Sequence, residues 1–312
     1  MQRLIIVIAG TLFLIVNSSP AQSRLDTLQL LHDVKALSAD SMQGRKSCTA
    51  GSQKARRYIL AAFKENNLRA FNGSFKQVFS FSTRGTTCDS ATNLAGYFPG
   101  TSSSLCLVLS AHYDHLGLVN GQIYPGADDN ASGVAALLAI MDYFSRQQPR
   151  HTLIFAFFDG EEAGLHGARA FVDTPPVDRK KIALNVNLDM VSRSEKNELY
   201  VAGAFHYPFL KPYLSQLAQT SAVQLRLGHD QGENAGDNWT ASSDHAPFHA
   251  RGIPFAYFGV EDHSDYHRPS DVFANIEPKF FINAAATILA AVLVFDENLE
   301  QIASAKNPAS GN

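Results

Sequence analysis

The amino-acid sequence predicts an α/β fold with a central, mostly parallel sheet. Four near-continuous apolar runs end in polar clusters, which is typical of strands buried on both faces. Helical patterns separate the first three of these runs, as parallel strands require. The 312 residues are 45% hydrophobic and 18% charged, which suits a soluble globular domain with a sizeable core.

The N-terminal residues have the layout of a targeting segment. The start Met-Gln-Arg is basic, positions 4–16 are apolar, and small and polar residues follow. This apolar run is short for a membrane-spanning helix. It therefore predicts a secretory signal peptide over residues 1–21 and an exported protein, periplasmic or extracellular. The alternative is an uncleaved N-terminal anchor.

Residues 22–300 are predicted to form a single domain, followed by a mobile tail at 301–312. Apolar residues at three- and four-residue spacing predict helices within 25–67, and alternating patterns predict strands at 75–83 and 91–100. The four apolar runs predicted as buried strands are LCLVLSAHYD, HTLIFAFFDGEE, KIALNVNLDM and GIPFAYFGVEDH. The helices predicted between and after them are SGVAALLAIMDYFSRQ, GLHGARAFVD and the closing FFINAAATILAAVLVFDENLEQIA.

Charge and cysteine content narrow the function classes. The formal net charge is −3 and the isoelectric point about 6.4, so nothing supports binding to nucleic acid or to an anionic membrane. The three cysteines form no Cys-x-x-Cys pair, which argues against a thiolate zinc site. Cys106 lies in an apolar run and is predicted as a buried thiol, which leaves Cys48 and Cys88 as a candidate disulfide.

Acidic residues and histidines gather at the predicted strand ends. Ligands bind beyond the carboxyl ends of the strands in open α/β sheets, and so many carboxylates would repel one another unless cations bind them. Carboxylate and imidazole ligands without thiolates suit zinc, manganese or a related divalent metal in a catalytic site. The residues concerned are His112, Asp114, Asp128, Asp129, Asp159, Glu161, Glu162, Asp189, Asp262, His263, Asp265 and His267.

Each motif has a simpler explanation when it is taken alone. A histidine at a strand end is commonly a hydrogen-bonded loop residue, and GADDNASG has the composition of an Asx turn followed by a helix N-cap. DGEE is commonly a solvated loop. Their occurrence together, in order and each at a strand end, favours the metal site.

The motifs together resemble the co-catalytic zinc aminopeptidases of the secreted bacterial leucyl-aminopeptidase type. Relatives of this family include glutamate carboxypeptidase II, the transferrin receptor ectodomain and glutaminyl cyclases. The resemblance covers roughly residues 35–295 and implies a three-layer αβα sandwich with a mostly parallel mixed sheet. The motifs that carry it are SAHYDHLG, PGADDNASGVAALL, FAFFDGEEAGLHGARAF, VNLDM, SSDHAPF and YHRPSD.

The resemblance implies two Zn²⁺ ions and a role for each matching residue. Asp129 would bridge the two ions, His112 and Asp189 would complete one site, and Glu162 and His267 the other. Asp128 would be a neighbour that binds neither ion. Other divalent metals are not excluded by this ligand set.

The remaining matches imply catalytic and supporting roles. Glu161 would be the general base, and Tyr266 would donate a hydrogen bond to the oxyanion. Asp114 would orient the imidazole of His112, and Asp244 and His245 would support the site from behind.

The function implied is that of a monomeric aminopeptidase acting on peptides with a free N-terminus, with no membrane association after signal cleavage. Glutaminyl cyclisation and metallocarboxypeptidase activity are alternatives on the same fold. A non-enzymatic, receptor-like domain is disfavoured, because none of the expected ligand and base positions is missing.

Overall fold

The computed structural model describes residues 24–83, 86–102, 104–231 and 237–306. The predicted signal peptide lies outside these residues. The strands of the described chain are β1 (Arg69–Ala70), β2 (Lys76–Thr83), β3 (Thr86–Phe98), β4 (Cys106–His112), β5 (Gly117–Val119), β6 (Gln122–Tyr124), β7 (Thr152–Phe158), β8 (Ile182–Leu188), β9 (Glu198–Ala202), β10 (Gln224–Leu227) and β11 (Phe255–Gly259). The α-helices are α1 (Thr27–Leu37), α2 (Ala50–Glu65), α3 (Gly133–Arg146), α4 (His166–Asp173), α5 (Lys211–Thr220), α6 (His245–Ala250), α7 (Pro278–Glu297) and α8 (Leu299–Lys306).

A mixed sheet forms the centre of the molecule. Within the described chain it has nine strands, in the order β1-β3-β7-β4-β8-β11-β9-β10, with β2 paired to β3. The four strands β7, β4, β8 and β11 are mutually parallel, and they correspond to the four continuous apolar runs. Strands β3 and β9 run antiparallel to the two outer members of this group. The predicted α/β class with a mixed sheet is confirmed.

Helices cover both faces of the sheet, as a three-layer sandwich requires. Side chains alternate across β7: Phe155 and Phe157 pack into the larger core cluster, whereas Ile154 and Phe158 pack into the smaller one. Helices α1, α2, α3, α5 and α7 contribute to the larger cluster. Helices α4 and α6 cover the other face.

The long apolar helix α7 packs against the body of the protein. Within the described chain it is the one helix long and apolar enough to cross a membrane by length and composition. In its most apolar 18-residue stretch 67% of the residues are buried, which is the behaviour of a core helix.

The C-terminal boundary differs from the prediction. Helix α8 extends to Lys306, so the residues from 301 to 306 are helical and do not belong to a mobile tail. The reason is packing, because Leu299 and Ile302 are buried in the core. Residues 307–312 lie outside the described part of the chain.

The cysteines pair as predicted. Cys48, just before α2, and Cys88, on β3, form a disulfide that links residues 40 positions apart. Cys106 is a buried free thiol, and burial raises its pKa to about 11.

Candidate metal centre

The candidate site lies at the edge of the sheet where the parallel strands end. His112 is the last residue of β4 and lies in register with Phe158, the last residue of β7. Asp189 directly follows β8, which is also parallel to β4. Strand order and register therefore bring side chains that are far apart in sequence to one edge, as the apolar runs predicted.

One set of potential ligands combines His112, Asp129 and Asp189. The Nε2 atom of His112 lies 3.5 Å from Oδ1 of Asp129 and 3.2 Å from Oδ1 of Asp189. All three side chains are buried, and their ligand atoms lie within 4.8 Å of one another. We refer to these three residues as the first donor set.

A second set shares Asp129. The Nε2 atom of His267 lies 3.1 Å from Oδ2 of Asp129 and 3.3 Å from Oε2 of Glu162. Asp129, Glu162 and His267 form the second donor set. Because the two oxygens of Asp129 face different sets, its carboxylate has the position of a bridge.

The spacing of the donor atoms fits zinc. Tetrahedral coordination with Zn–N and Zn–O bonds of about 2.0 Å places neighbouring ligand atoms roughly 3.3 Å apart. The four distances from a histidine nitrogen to a carboxylate oxygen within the two donor sets lie between 3.1 and 3.5 Å. A nitrogen and oxygen donor set without thiolate is also the type that catalytic zinc sites use.

Gly160 and Asp114 separate the two adjacent glutamates. Gly160 has φ +75°, a conformation that favours glycine, and it ends the extended chain of β7. The carboxylate of Asp114 then accepts the backbone N–H groups of Glu161 at 3.1 Å and Glu162 at 3.3 Å. Glu162 faces Asp129 and His267, whereas Oε2 of Glu161 lies 3.9 Å from Nε2 of His112.

The role predicted for Asp114 needs a correction. Its carboxylate was expected to orient the imidazole of His112, but Oδ1 lies 3.8 Å from Nδ1 of that ring. The main-chain carbonyl of Asp114 accepts from this nitrogen at 3.1 Å instead. The side chain turns away because the N–H groups of the glutamate turn bind it.

His115 is a buried site residue to which the sequence assigned no role. Its Nδ1 atom lies 2.6 Å from Oε1 of Glu162, which is the distance of a charge-assisted hydrogen bond. The same nitrogen lies 3.6 Å from Oδ2 of Asp129, so the ligand atoms of His115, Asp129 and Glu162 also lie within 4.8 Å of one another. His115 contacts the Glu162 oxygen that does not face His267. Its place in the HYDH motif, three residues after His112, is the signal that could have found it.

Hydrogen bonds hold the loop that carries Asp129. Asp271 accepts the backbone N–H groups of Asp128 and Asp129, with distances of 2.9 and 3.0 Å. The Asp128 carboxylate accepts from the Ser192 backbone and hydroxyl at 2.7 and 2.8 Å. Asp128 lies 3.1 Å from His263 and in neither donor set, as a neighbour would.

Asp244 and His245 lie behind the first donor set. Asp244 is fully buried, and neither carboxylate oxygen has a hydrogen-bond partner within the described chain. Burial and the negative charge of Asp189 raise its pKa to about 7, against the opposing charge of His112. The Nε2–H group of His245 donates to the Trp239 carbonyl, 2.8 Å away, and burial lowers the pKa of His245 to about 4.

The electrostatics of the centre match its acid-rich composition. Burial raises the pKa of Glu161 well above its usual value, and Asp189 and Asp244 raise it further against the effect of His112. Burial lowers the pKa of His267, but hydrogen bonds to Asp129 and Glu162 outweigh this effect and raise it to about 10. The negative field of these carboxylates favours the binding of cations.

A cavity of about 410 Å³, which we call the metal cavity, opens over the first donor set. Tyr266 lines it, and its ring stacks on His267 with ring centroids 4.0 Å apart. Trp239, Tyr257 and Met190 form apolar parts of the wall. Positions 232–236, which precede Trp239 in the chain, lie outside the described residues.

Residues 93–292 match the model of peptidase family M28. They include the four parallel strands and all the residues of the two donor sets. The chain belongs to this family. Membership confirms the resemblance to the co-catalytic metallopeptidases and accounts for the shared strand-end motifs.

Curated relatives match the same region over part of their own length. The vacuolar membrane protease of Candida albicans is 28% identical over 197 residues, which are 60% of this chain and 21% of that protein. Aminopeptidase YwaD of Bacillus subtilis is 31% identical over 196 residues, 59% of this chain and 40% of that protein. The chain thus spans about a fifth of the length of the fungal proteases.

Solved structures share the fold at low identity. The zinc aminopeptidase BSAP of Bacillus subtilis has a TM-score of 0.69 at 18% identity, covering 86% of this chain and 95% of that chain. The glutaminyl cyclase of Porphyromonas gingivalis has a TM-score of 0.71, also at 18% identity, covering 86% of this chain and 98% of that chain. The fold is therefore common to a hydrolase and a cyclase.

Proposed function

We propose that this protein is a zinc-dependent aminopeptidase that removes N-terminal residues from peptides by two-metal activation of water. The observation that carries the proposal is the pair of donor sets joined by Asp129, with Glu161 beside them and in neither. The name of the relative YwaD supports aminopeptidase activity within the family.

Two zinc ions bound there would polarise the scissile carbonyl and lower the pKa of the attacking water. Glu161, whose Oε2 lies 3.9 Å from Nε2 of His112 and outside both donor sets, would take the proton from that water and deliver it to the leaving amine. Tyr266, stacked on His267 in the wall of the metal cavity, donates its hydroxyl to the developing oxyanion.

Acidic side chains give the metal cavity its preference for a free N-terminus. Glu161, Asp189 and Asp262 all line it. Their negative charge attracts the α-ammonium group of a peptide, and the apolar surface of Trp239 and Met190 contacts the first side chain. A receptor-like domain would have no need for a base placed between two complete donor sets.

Export is part of the proposal. The apolar run at 4–16 supports a signal peptide, and the Cys48–Cys88 disulfide suits an oxidising compartment. Peptides present outside the cytoplasm are then the substrates.

The base is tested with Glu161→Gln, which removes the proton acceptor and leaves both donor sets intact. We expect kcat for leucyl 4-nitroanilide to fall by about 10²–10⁴, while zinc content stays at that of the wild type. The exposed Glu195→Gln is the matched control and should keep full activity.

A panel of aminoacyl 4-nitroanilides and an N-terminal glutaminyl peptide separates the alternatives. Release of nitroaniline supports the aminopeptidase. Pyroglutamate formation without aminoacyl release would assign the chain to the cyclases, and release only from peptide C-termini would assign it to the carboxypeptidases.

A further inference from the structure

A second cavity, of about 580 Å³, lies beside the metal cavity. We call it the lateral groove. It shares Glu162 and His267 with the metal cavity, so the two spaces meet at the second donor set. A peptide bond held over the centre therefore has open space on both sides.

The two spaces differ in their charged side chains. The metal cavity is lined by Glu161, Asp189 and Asp262. Among the described residues that line the lateral groove, Lys46 is the only lysine or arginine. Its ammonium makes no ion pair within the described chain. The groove also holds two carboxylates: Asp114, which accepts the N–H groups of Glu161 and Glu162, and Glu162, which belongs to the second donor set.

The walls of the lateral groove are largely apolar and firmly held. Phe81, Val119 and the disulfide Cys48–Cys88 form much of its surface. The segment that carries Lys46 is fixed two residues later by that disulfide. The Ser47 hydroxyl also donates to Asp159 at 2.6 Å.

We propose that the lateral groove binds the departing part of the peptide and that Lys46 pairs with a carboxylate on it. This carboxylate is the C-terminus of a dipeptide or the side chain of an aspartate directly after the cleaved bond. The inference rests on the proposed aminopeptidase function. With the ammonium of the first residue in the acidic metal cavity, the rest of the peptide extends into the adjoining lateral groove, where Lys46 is the positive group available to a carboxylate.

The test compares hydrolysis of Leu-Ala, Leu-Ala-NH₂ and Leu-Asp-NH₂ by the zinc-loaded protein. A solvent-exposed ion pair changes binding by a modest amount, so we expect kcat/KM for Leu-Ala to exceed that for Leu-Ala-NH₂ by about three- to tenfold. The difference should lie mainly in KM and shrink as salt is added. Preference for Leu-Asp-NH₂ over Leu-Ala-NH₂ would identify a side-chain carboxylate as the partner.

Three variants assign the preference to Lys46. Lys46→Met keeps the aliphatic stem and should bring the Leu-Ala to Leu-Ala-NH₂ ratio to about one, because it removes only the charge. Lys46→Arg should restore the preference. Lys76→Met, an exposed lysine on β2 outside the groove, should leave the ratio at its wild-type value.

Each contrary result has a separate meaning. The inference would be overturned if the wild type hydrolysed Leu-Ala, Leu-Asp-NH₂ and Leu-Ala-NH₂ equally well. It would also be overturned if Lys46→Met left the Leu-Ala to Leu-Ala-NH₂ ratio unchanged. Neither result would contradict the aminopeptidase function. A zinc-loaded wild type that hydrolyses none of the three would overturn the proposed function and this inference with it.

Discussion

At the scale of single residues, the centre depends on the atom that each side chain presents. Glu161 and Glu162 are adjacent, but the Gly160 turn and the Asp114 carboxylate send them to different partners. Glu162 uses Oε2 toward His267 and Oε1 toward His115. The hydrogen bond from His115 thus leaves one oxygen of Glu162 free to bind metal.

His115→Phe tests this arrangement by removing the hydrogen-bond donor and keeping an aromatic ring. Because partners of metal ligands set ligand orientation and basicity, we expect zinc affinity at the second donor set to fall about 10- to 100-fold. Competition with a chromophoric chelator measures this affinity directly.

The control for His115→Phe is His32→Phe, at a histidine whose side chain is 65% exposed on α1. It should bind zinc as the wild type does. Unchanged zinc affinity in His115→Phe would show that Glu162 needs no help from this ring.

At the scale of elements, loops around the sheet edge matter as much as the strands. Arg45 is fully buried and donates to the carbonyls of Leu37, Tyr113, Pro125 and Gly126, at distances of 2.6 to 2.9 Å. It ties the segment before α2 to the loop that carries Asp129. Burial lowers its pKa to about 10, against the opposing effect of Asp129.

The Cys48–Cys88 disulfide fixes the same segment to β3. Since the bond closes a loop of 40 residues, its removal should lower the free energy of unfolding by about 2–4 kcal/mol. Urea denaturation of Cys48→Ser, Cys88→Ser and the double variant measures the loss.

All three serine variants should lose the same amount, because each breaks one and the same bond. A double variant that loses the sum of the two single losses would mean that the thiols stabilise the protein independently. A double variant as stable as the wild type would show that the disulfide does not contribute to the free energy of unfolding.

Sequence patterns predict the elements better than they predict their contacts. The parallel strands can be predicted because burial on both faces requires continuous apolar runs. The acidic residues directly after these runs can then be assigned to the ligand-binding edge of the sheet. The contacts of the Asp114 carboxylate and of Arg45 could not be predicted from the sequence. Their hydrogen-bond partners are backbone atoms, which every residue has, so no residue type marks them. The apolar pattern predicts one closing helix up to residue 303, whereas α7 ends at Glu297 and α8 continues to Lys306.

At the scale of the whole molecule, the centre joins segments from most of the chain. His112 and His267 are far apart in sequence and lie on opposite sides of Asp129. His112 ends β4, the loop that carries His267 follows β11, and β8 lies between these two strands in the sheet. Metal bound by both donor sets would therefore hold distant parts of the fold together.

Removal of zinc should consequently lower the stability of the entire domain. Ligands that bind only the folded state stabilise it by about 2.7 kcal/mol at 100 times their dissociation constant. The metal-free centre also leaves several buried carboxylates without a counter-charge. We expect a lower melting temperature after chelation, and its recovery when zinc is returned.

Three ligand variants distinguish a bridged pair of sites from two separate ones. Asp129→Asn should lose zinc from both donor sets, whereas Asp189→Asn and Glu162→Gln should each lose it mainly from one. Zinc per chain, measured by mass spectrometry, and the melting temperature should both fall most in Asp129→Asn and less in Asp189→Asn and Glu162→Gln. The exposed Asp40→Asn should match the wild type in both measurements. If Asp129→Asn retained as much zinc as Asp189→Asn, its carboxylate would not be the bridge. The two donor sets would then bind their metals independently.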